Sequence, residues 1–260
     1  MAMEEDRPTA AGIGEIARSA YVAVSRGARG VAQRTGVLGR LDKAYREDPV
    51  SVRGHLRTLA AIHDVEDLVA LDVPWWTYPA IAAVEEHLTS LGGRARVFEY
   101  GSGASSVWLG RRAAEVHSVE HHVGFAEVMT TVLAEAGLDG TVDLITVPPT
   151  TSATPRIPST RRGEQGRDYA DYVRSIDDVP GEFDLVVVDG RARGACLEQS
   201  VRRLAPGGIV LFDDSQRPRY RAAIDGSGLR VVRHRGWVPS LPYPRETAVL
   251  GLSPAAGGPR

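Results

Sequence analysis

The sequence has little of several features that define special classes of protein. Among its 260 residues there is one cysteine, Cys196, so an internal disulfide is impossible. The formal net charge is −2, so no strong positive field points to a nucleic-acid partner. The amino terminus is acidic, and no apolar run approaches the roughly 18 residues of a membrane helix. These absences predict a cytoplasmic protein with neither a nucleic-acid partner nor a transmembrane segment.

The amino-terminal part of the chain is basic and helical in pattern. Apolar residues recur at helical spacing from Ile13 to about Leu41, although several glycines interrupt them. A helical packing appendage fits this pattern, and so does a surface for anionic lipid or an acidic partner. We expect residues 1–73 to form a helical appendage, which could also join copies of the chain into a homo-oligomer. Residues 74–260 are expected to form the main domain.

From residue 96 onwards short apolar strands alternate with helices. Strands are predicted over residues 96–100, 116–120, 142–147, 183–189, 209–214, 229–237 and 246–252. Residues 206–208, Pro-Gly-Gly, are predicted to form a tight turn, and the Pro-, Ser- and Arg-rich residues 148–166 a long loop. Such alternation predicts an α/β fold, a doubly wound, Rossmann-like parallel sheet.

Acidic residues stand where these strands end, which is the edge at which doubly wound sheets bind ligands. Glu99 stands two residues before the first glycine of a turn, Gly101-Ser102-Gly103, between the first strand and the next helix. Glycines there let the backbone approach a ligand without an obstructing Cβ atom. Glu120 ends the second strand, where a carboxylate can accept both hydroxyls of a ribose.

Two cofactors use a glycine turn of this kind. The dinucleotide pattern G-x-G-x-x-G has a third glycine, which lets the helix pack closely. This chain has Ser106 at that position instead of glycine. The Glu99 carboxylate would repel a pyrophosphate but attract the ammonium group of a methionine moiety. The turn therefore favours S-adenosylmethionine over a dinucleotide.

Four motifs carry a family resemblance. Residues 98–106 read FEYGSGASS and resemble motif I of class I S-adenosylmethionine-dependent methyltransferases. With SVEH at 118–121, VDGRARGAC at 188–196 and DDSQRPRY at 213–220, the chain is similar to a bacterial group of that superfamily from about Pro74 to Leu252. The resemblance implies a seven-stranded sheet of order 3-2-1-4-5-7-6 with an antiparallel seventh strand. It also implies the cofactor-binding residues Glu99, Tyr100, Gly101, Ser102, Gly103, Ser105, Ser106, Glu120, His121 and Asp189.

The reacting end of the site is expected at the fourth and fifth strands. Asp189 ends the fourth strand, and Asp213 and Asp214 end the fifth. Carboxylates this close require a positive charge between them. They could hold Mg²⁺, as in the catechol-type O-methyltransferases that this arrangement resembles, or pair with Arg191, Arg193 or Arg217, which we favour. The predicted catalytic residues are Asp189, Asp213, Asp214 and Arg191.

An aromatic segment lies before the first helix of the main domain. Its side chains could plug the core or form a wall of the acceptor pocket. The residues predicted to contact the acceptor are Trp75, Trp76, Tyr78, Arg217 and Tyr220.

These observations predict an S-adenosylmethionine-dependent methyltransferase that acts on a hydroxyl group of a small molecule or glycan. An NAD-linked Rossmann oxidoreductase is one alternative, which Glu99 and Ser106 disfavour. A non-catalytic S-adenosylmethionine-binding or scaffold protein on the same fold is the other. The acids after strands four and five disfavour it.

Overall fold

The computed structural model describes residues 36–61, 65–161 and 163–252. Most of the predicted amino-terminal helical segment, residues 13–35, lies outside these ranges. The chain divides into two compact units. The smaller holds the described residues up to Asp67 together with Ser240–Pro242, and the larger holds Leu68–Pro239 and the described residues from Tyr243 onwards. The division into 1–73 and 74–260 stays a prediction, as does self-association through the amino-terminal helices.

The smaller unit contains two helices, α1 (Val37–Glu47) and α2 (Val52–Leu59). Ser51 caps α2, because its hydroxyl accepts a hydrogen bond from the Gly54 amide at 3.0 Å. Buried Arg57 of α2 forms an ion pair with Asp42 of α1. A third helix, α3 (Val65–Ala70), follows and runs into the larger unit. No helix of the described ranges is long and apolar enough to span a membrane.

The larger unit alternates strands and helices, as predicted. Its main sheet contains β1 (Arg96–Tyr100), β2 (Glu115–Glu120), β3 (Val142–Thr146), β4 (Phe183–Val188), β5 (Leu204–Phe212), β6 (Arg230–Gly236) and β7 (Arg245–Gly251). The helices are α4 (Tyr78–Ser90), α5 (Ala104–Gly110), α6 (Val123–Glu135), α7 (Ala170–Arg174), α8 (Arg193–Val201) and α9 (Arg221–Asp225). Short 3-10 helices, Ser175–Asp178 and Pro218–Tyr220, follow α7 and precede α9.

The strands lie in the order β3-β2-β1-β4-β5-β7-β6, which confirms the predicted topology. Strands β1 to β5 pair in parallel, and β7 is antiparallel to both β5 and β6. At the centre, Leu185–Val188 of β4 are fully buried, as expected of an apolar run between two layers of helices. Tyr100 of β1 is level with Val188 of β4, which is level with Phe212 of β5. The residues that follow these three strands therefore emerge together at one edge.

Two segments differ from the sequence-based expectation. Residues 206–208 lie within β5, where the pairing with β4 shifts between Phe183 and Leu185. Gly207 at this irregularity has φ +84°, a left-handed conformation that glycine adopts without strain. The loop 148–166 contains the start of a small hairpin, in which Thr150–Thr151 pairs with Arg167–Asp168. Local glycine and proline content indicated turns at both places but not how the neighbouring backbone pairs.

Candidate cofactor and active site

The turn after β1 is shaped by its glycines. Gly101 has φ +96°, and a Cβ atom there would lie 2.7 Å from the Cα atom of Gly190. Gly101 is therefore required for the close approach of the turns after β1 and β4. A Cβ atom on Gly103 would meet only the Ser105 hydroxyl, at 4.0 Å. The Gly103 side of the turn is thus open, as a cradle for a bound cofactor requires.

The residues between and before these glycines have different surroundings. Tyr100 is fully buried, and its hydroxyl donates a hydrogen bond to the Val173 carbonyl oxygen at 2.7 Å. Its side chain therefore belongs to the core, which leaves only its backbone for the predicted cofactor contact. Among the described residues, the buried Ser102 hydroxyl has no hydrogen-bond partner. Buried polar groups are rarely unpaired, so this hydroxyl is suited to a bound cofactor.

Glu99 braces the glycine turn from within the protein. It is fully buried, and its carboxylate accepts hydrogen bonds from Ser105, Ser106 and, at 2.6 Å, Ser118 of β2. Burial raises the pKa of Glu99 to about 7, although the three hydroxyls oppose the rise. With no exposed surface, the carboxylate does not face the cleft, where we expected it to bind a methionine ammonium group. Glu99, Ser105 and Ser106 instead hold the start of α5 against β2.

Glu120 lies buried at the end of β2, where its neighbours hold the carboxylate. Its Oε1 atom lies 2.7 Å from His121 Nδ1 and accepts a hydrogen bond from the His122 amide, also at 2.7 Å. Burial opposes ionisation, but the His121 side chain and the amides of His122 and His121 outweigh it and lower the pKa of Glu120. An ionised carboxylate at this strand end fits the predicted ribose contact.

At this part of the edge, His121 and Arg191 meet three side chains that sequence reasoning missed: Tyr169, Tyr172 and Glu164. The ring of His121 packs against Tyr169 and Tyr172, with centroids 6.0 and 6.1 Å apart. The Tyr169 hydroxyl donates to Glu164 at 2.7 Å, and the Arg191 guanidinium lies 3.6 Å from the same carboxylate. Arg191 thus reaches the long loop after β3 rather than the acids beside it in sequence.

The carboxylates after β4 and β5 meet around one buried guanidinium, that of Arg193. Its Nη2 atom donates to Asp189 Oδ1 at 2.6 Å. Its Nη1 atom lies 3.6 Å from Asp213 Oδ2 and 3.8 Å from Asp214 Oδ2. The predicted convergence of the three acids is therefore present, with Arg193 between them.

Further groups complete the charge balance of this cluster. Arg217 and Arg245 both pair with Asp214, the latter at 2.8 Å. The Thr247 hydroxyl donates to Asp213 Oδ1 at 2.8 Å. Three carboxylates thus face three guanidinium groups. Arg245 and Thr247 had no sequence signal, because they lie on β7, more than 30 residues beyond the acids.

Mg²⁺ does not fit this arrangement. One oxygen of each carboxylate that would bind a metal ion is already paired with an arginine or threonine side chain: Asp189 Oδ1, Asp213 Oδ1 and Asp214 Oδ1. In the described parts of the chain, no three His, Cys, Asp or Glu side chains are placed to hold a metal ion. A divalent cation and the Arg193 guanidinium would compete for the same oxygens.

Comparison with known proteins agrees with this geometry. Residues 98–215, which hold the glycine turn and all the acids just described, match the family model for a methyltransferase domain. Residues 98–215 therefore contain a methyltransferase domain, and the strand order of the sheet is the one expected for the class I, S-adenosylmethionine-dependent methyltransferases. By sequence, no curated protein matches it significantly. Because the matching family model is that of a methyltransferase domain, the alternative of an NAD-linked oxidoreductase is rejected.

Solved structures share the fold of this methyltransferase. A protein described as an O-methyltransferase from Klebsiella pneumoniae is 15% identical with a TM-score of 0.53, covering 76% of this chain and 90% of its own. An O-methyltransferase from Bacillus cereus in complex with S-adenosylhomocysteine is 17% identical, with a TM-score of 0.51 and coverages of 75% and 90%. TomG from Streptomyces achromogenes, an O-methyltransferase involved in tomaymycin synthesis, is 20% identical with a TM-score of 0.51 and the same coverages.

The residues predicted to contact the acceptor do not all lie at the cleft. Trp76 is fully buried and packs edge-on against Trp108 at 5.8 Å, which supports the core interpretation for this residue. Trp75 and Tyr78 are half-buried, and Arg217 lies beside Asp214. Tyr220 is buried against Phe212 and the Arg193 guanidinium. Trp75, Tyr78 and Arg217 retain surface for an acceptor.

The electrostatics of the acid cluster follow from its burial. Burial raises the pKa of Asp189, the neighbouring Asp213 carboxylate raises it further, and Arg193 opposes both. The pKa of Asp213 is also raised, again mainly by burial. Burial opposes the charge of Arg193, but these carboxylates outweigh it and raise the pKa of Arg193, so the guanidinium stays charged. The cluster therefore contains a permanent cation and an acid whose proton affinity is above that of an ordinary aspartate.

Proposed function

We propose that this methyltransferase transfers the methyl group of S-adenosylmethionine to a hydroxyl group of a small molecule or glycan, without a divalent metal. One observation carries the proposal: the Asp189 carboxylate is 23% exposed at the end of β4, beside the cofactor turn, and its pKa is raised. A general base works best when its pKa approaches the operating pH. The three similar structures, each described as an O-methyltransferase, support a hydroxyl acceptor.

The cofactor supplies a methyl group on a sulfonium, which is activated for in-line displacement. Gly101, Ser102 and Gly103 cradle it, with Ser102 providing a hydroxyl that the protein leaves unpaired. Glu120 would accept hydrogen bonds from the ribose hydroxyls. His121 supports the adenosine from the aromatic group that it forms with Tyr169 and Tyr172.

Asp189 removes the proton from the acceptor hydroxyl as the oxygen approaches the methyl group. Positioning of the two reactants contributes most of the rate enhancement, and the base adds to it. Asp213 and Asp214 shape the acceptor side, together with Arg217. For Arg191, predicted to be catalytic, we propose a role in holding the loop after β3, because its guanidinium lies 3.6 Å from Glu164.

Labelled S-adenosylmethionine, offered with pooled phenols and glycans, tests the proposal. We expect incorporation into a hydroxyl-bearing acceptor at the same rate with and without EDTA. Activity that EDTA abolishes and Mg²⁺ restores would refute the metal-free mechanism. Labelling restricted to nitrogen or carbon acceptors would refute the hydroxyl assignment.

A further inference from the structure

We propose that Arg193 is the positioning residue of the reaction: it fixes Asp189 so that one carboxylate oxygen, Oδ2, faces the acceptor hydroxyl. The inference rests on the proposed function, because it explains how the proposed base is held. It assigns this task to Arg193 and not to Arg191, which reaches Glu164 instead.

The guanidinium is held by the backbone of two strand ends. It donates hydrogen bonds to the carbonyl oxygens of Asp189 at 2.8 Å, Gly190 at 3.1 Å and Asp213 at 2.6 Å. Ala192 before it has φ 49°, the left-handed conformation that starts α8 and turns Arg193 inward. Because three carbonyl groups locate it, Arg193 is a fixed point against which a side chain can be oriented.

Asp189 is oriented by this fixed point. Its Oδ1 atom accepts the 2.6 Å bond from Arg193 Nη2, while the same nitrogen binds the Asp189 carbonyl oxygen. One nitrogen of Arg193 therefore holds both the carboxylate and the main-chain carbonyl group of Asp189. No described residue donates a hydrogen bond to Oδ2, and the partial exposure of the side chain is compatible with an acceptor reaching it.

Asp189 Oδ2 is then the proton acceptor of the reaction. The acceptor oxygen forms a bond to the methyl carbon as the carbon–sulfur bond breaks. The electron pair of that bond goes to sulfur, which leaves neutral S-adenosylhomocysteine. The hydroxyl proton passes to Asp189 Oδ2, while Oδ1 stays bonded to Arg193 throughout.

The charges around Asp189 make the cation necessary. Asp213 and Asp214 face it from β5, Glu99 from β1, and Arg193 from α8. Arg217 and Arg245 are within ion-pair distance of Asp214, whereas among the described residues only Arg193 lies that close to Asp189 and Asp213. Without Arg193 the two carboxylates would share a proton, and the raised pKa of Asp189 would rise further.

The experiment compares Arg193→Met and Arg193→Lys with a matched control, Arg203→Met. Arg203 likewise donates to three backbone carbonyl groups, but near the amino ends of β4 and β5, away from the carboxyl ends where the acids lie. The first readout needs no acceptor: the titration of Asp189 is followed by carbon-13 NMR of labelled aspartate carboxyl groups, with S-adenosylhomocysteine bound and Asp189→Asn for assignment. The second is transfer from labelled S-adenosylmethionine to the pooled phenols and glycans.

We expect Arg193→Met to move the Asp189 midpoint upward by about one pH unit or more and to lower transfer at neutral pH. Arg203→Met should lower thermal stability but leave the midpoint in place. If Arg193→Met does not fold, Arg193→Lys decides: it should keep the midpoint near that of the wild type and transfer more slowly, because one ammonium group cannot span both strand ends.

An unchanged midpoint in Arg193→Met, or wild-type transfer by Arg193→Lys, would overturn the inference while leaving the proposed function intact. Undiminished transfer by Asp189→Asn would instead refute the proposed base, and the inference with it.

Discussion

Replacing Glu99 with glutamine should remove a pH dependence from the stability of the protein. Burial raises the pKa of Glu99 from 4.5 to about 7 in the folded chain. Between these values the folded state binds more protons than the unfolded chain does. The stabilisation is therefore complete below the unfolded pKa and is lost as the pH rises through the folded pKa.

The magnitude follows from the two pKa values. One unit of pKa difference is worth about 1.4 kcal/mol, so the raised value corresponds to about 3 kcal/mol when Glu99 is fully ionised. Between about pH 5 and about pH 8, this group alone should reduce the free energy of unfolding by about 2.5 kcal/mol. Because the carboxylate has no exposed surface, solvent screening does not reduce this figure appreciably.

Urea denaturation of the wild type and Glu99→Gln across this pH range provides the assay. Subtracting one free energy of unfolding from the other cancels the remaining titratable groups, and the difference should shift by about 2.5 kcal/mol in favour of the variant as pH rises. Asp72→Asn, between α3 and α4, is the control. Burial opposes the ionisation of Asp72, but hydrogen bonds from Arg112 and Arg111 outweigh it and lower the pKa of Asp72, so this residue stays ionised across the range and its variant should show a constant difference. A constant difference for Glu99→Gln would refute the reasoning.

Three further predictions concern the cofactor and the reaction. Gly103→Val should abolish S-adenosylhomocysteine binding in isothermal titration while leaving the melting temperature nearly unchanged, because the added atoms enter open space; Gly101→Ala should lower both, through its contact with Gly190. Glu120→Ala should weaken S-adenosylhomocysteine binding by about 1–3 kcal/mol, the usual contribution of a hydrogen bond to a charged group, and an unchanged affinity in the same titration would contradict its role at the ribose. Asp189→Asn should reduce the rate of methyl transfer about 10²- to 10⁴-fold with little effect on S-adenosylhomocysteine affinity, and a steady-state rate close to that of the wild type would exclude it as the general base.

Sequence reasoning located the cofactor edge because its signals are local. Strand periodicity and flanking glycines place Glu99, Glu120 and Asp189 at strand ends, and parallel strands bring those ends to one edge. The same reasoning could not show which way each side chain turns. Glu99 is enclosed by three serine hydroxyls, and Tyr100 points into the core.

The acceptor side shows what only the tertiary structure decided. Arg191 and Arg193 are two residues apart and equally plausible partners for the acids by sequence, yet the left-handed Ala192 between them sends one to Glu164 and the other into the carboxylate cluster. Arg245 and Thr247 reach Asp214 and Asp213 only because β7 inserts antiparallel beside β5. The sequence by itself determined the alternation of strands and helices and the acids that end the strands, since both follow from local patterns, whereas the order of the strands was implied by the family resemblance. The partners of those acids depend on backbone turns and on contacts between distant segments, which exist only once the sheet has formed.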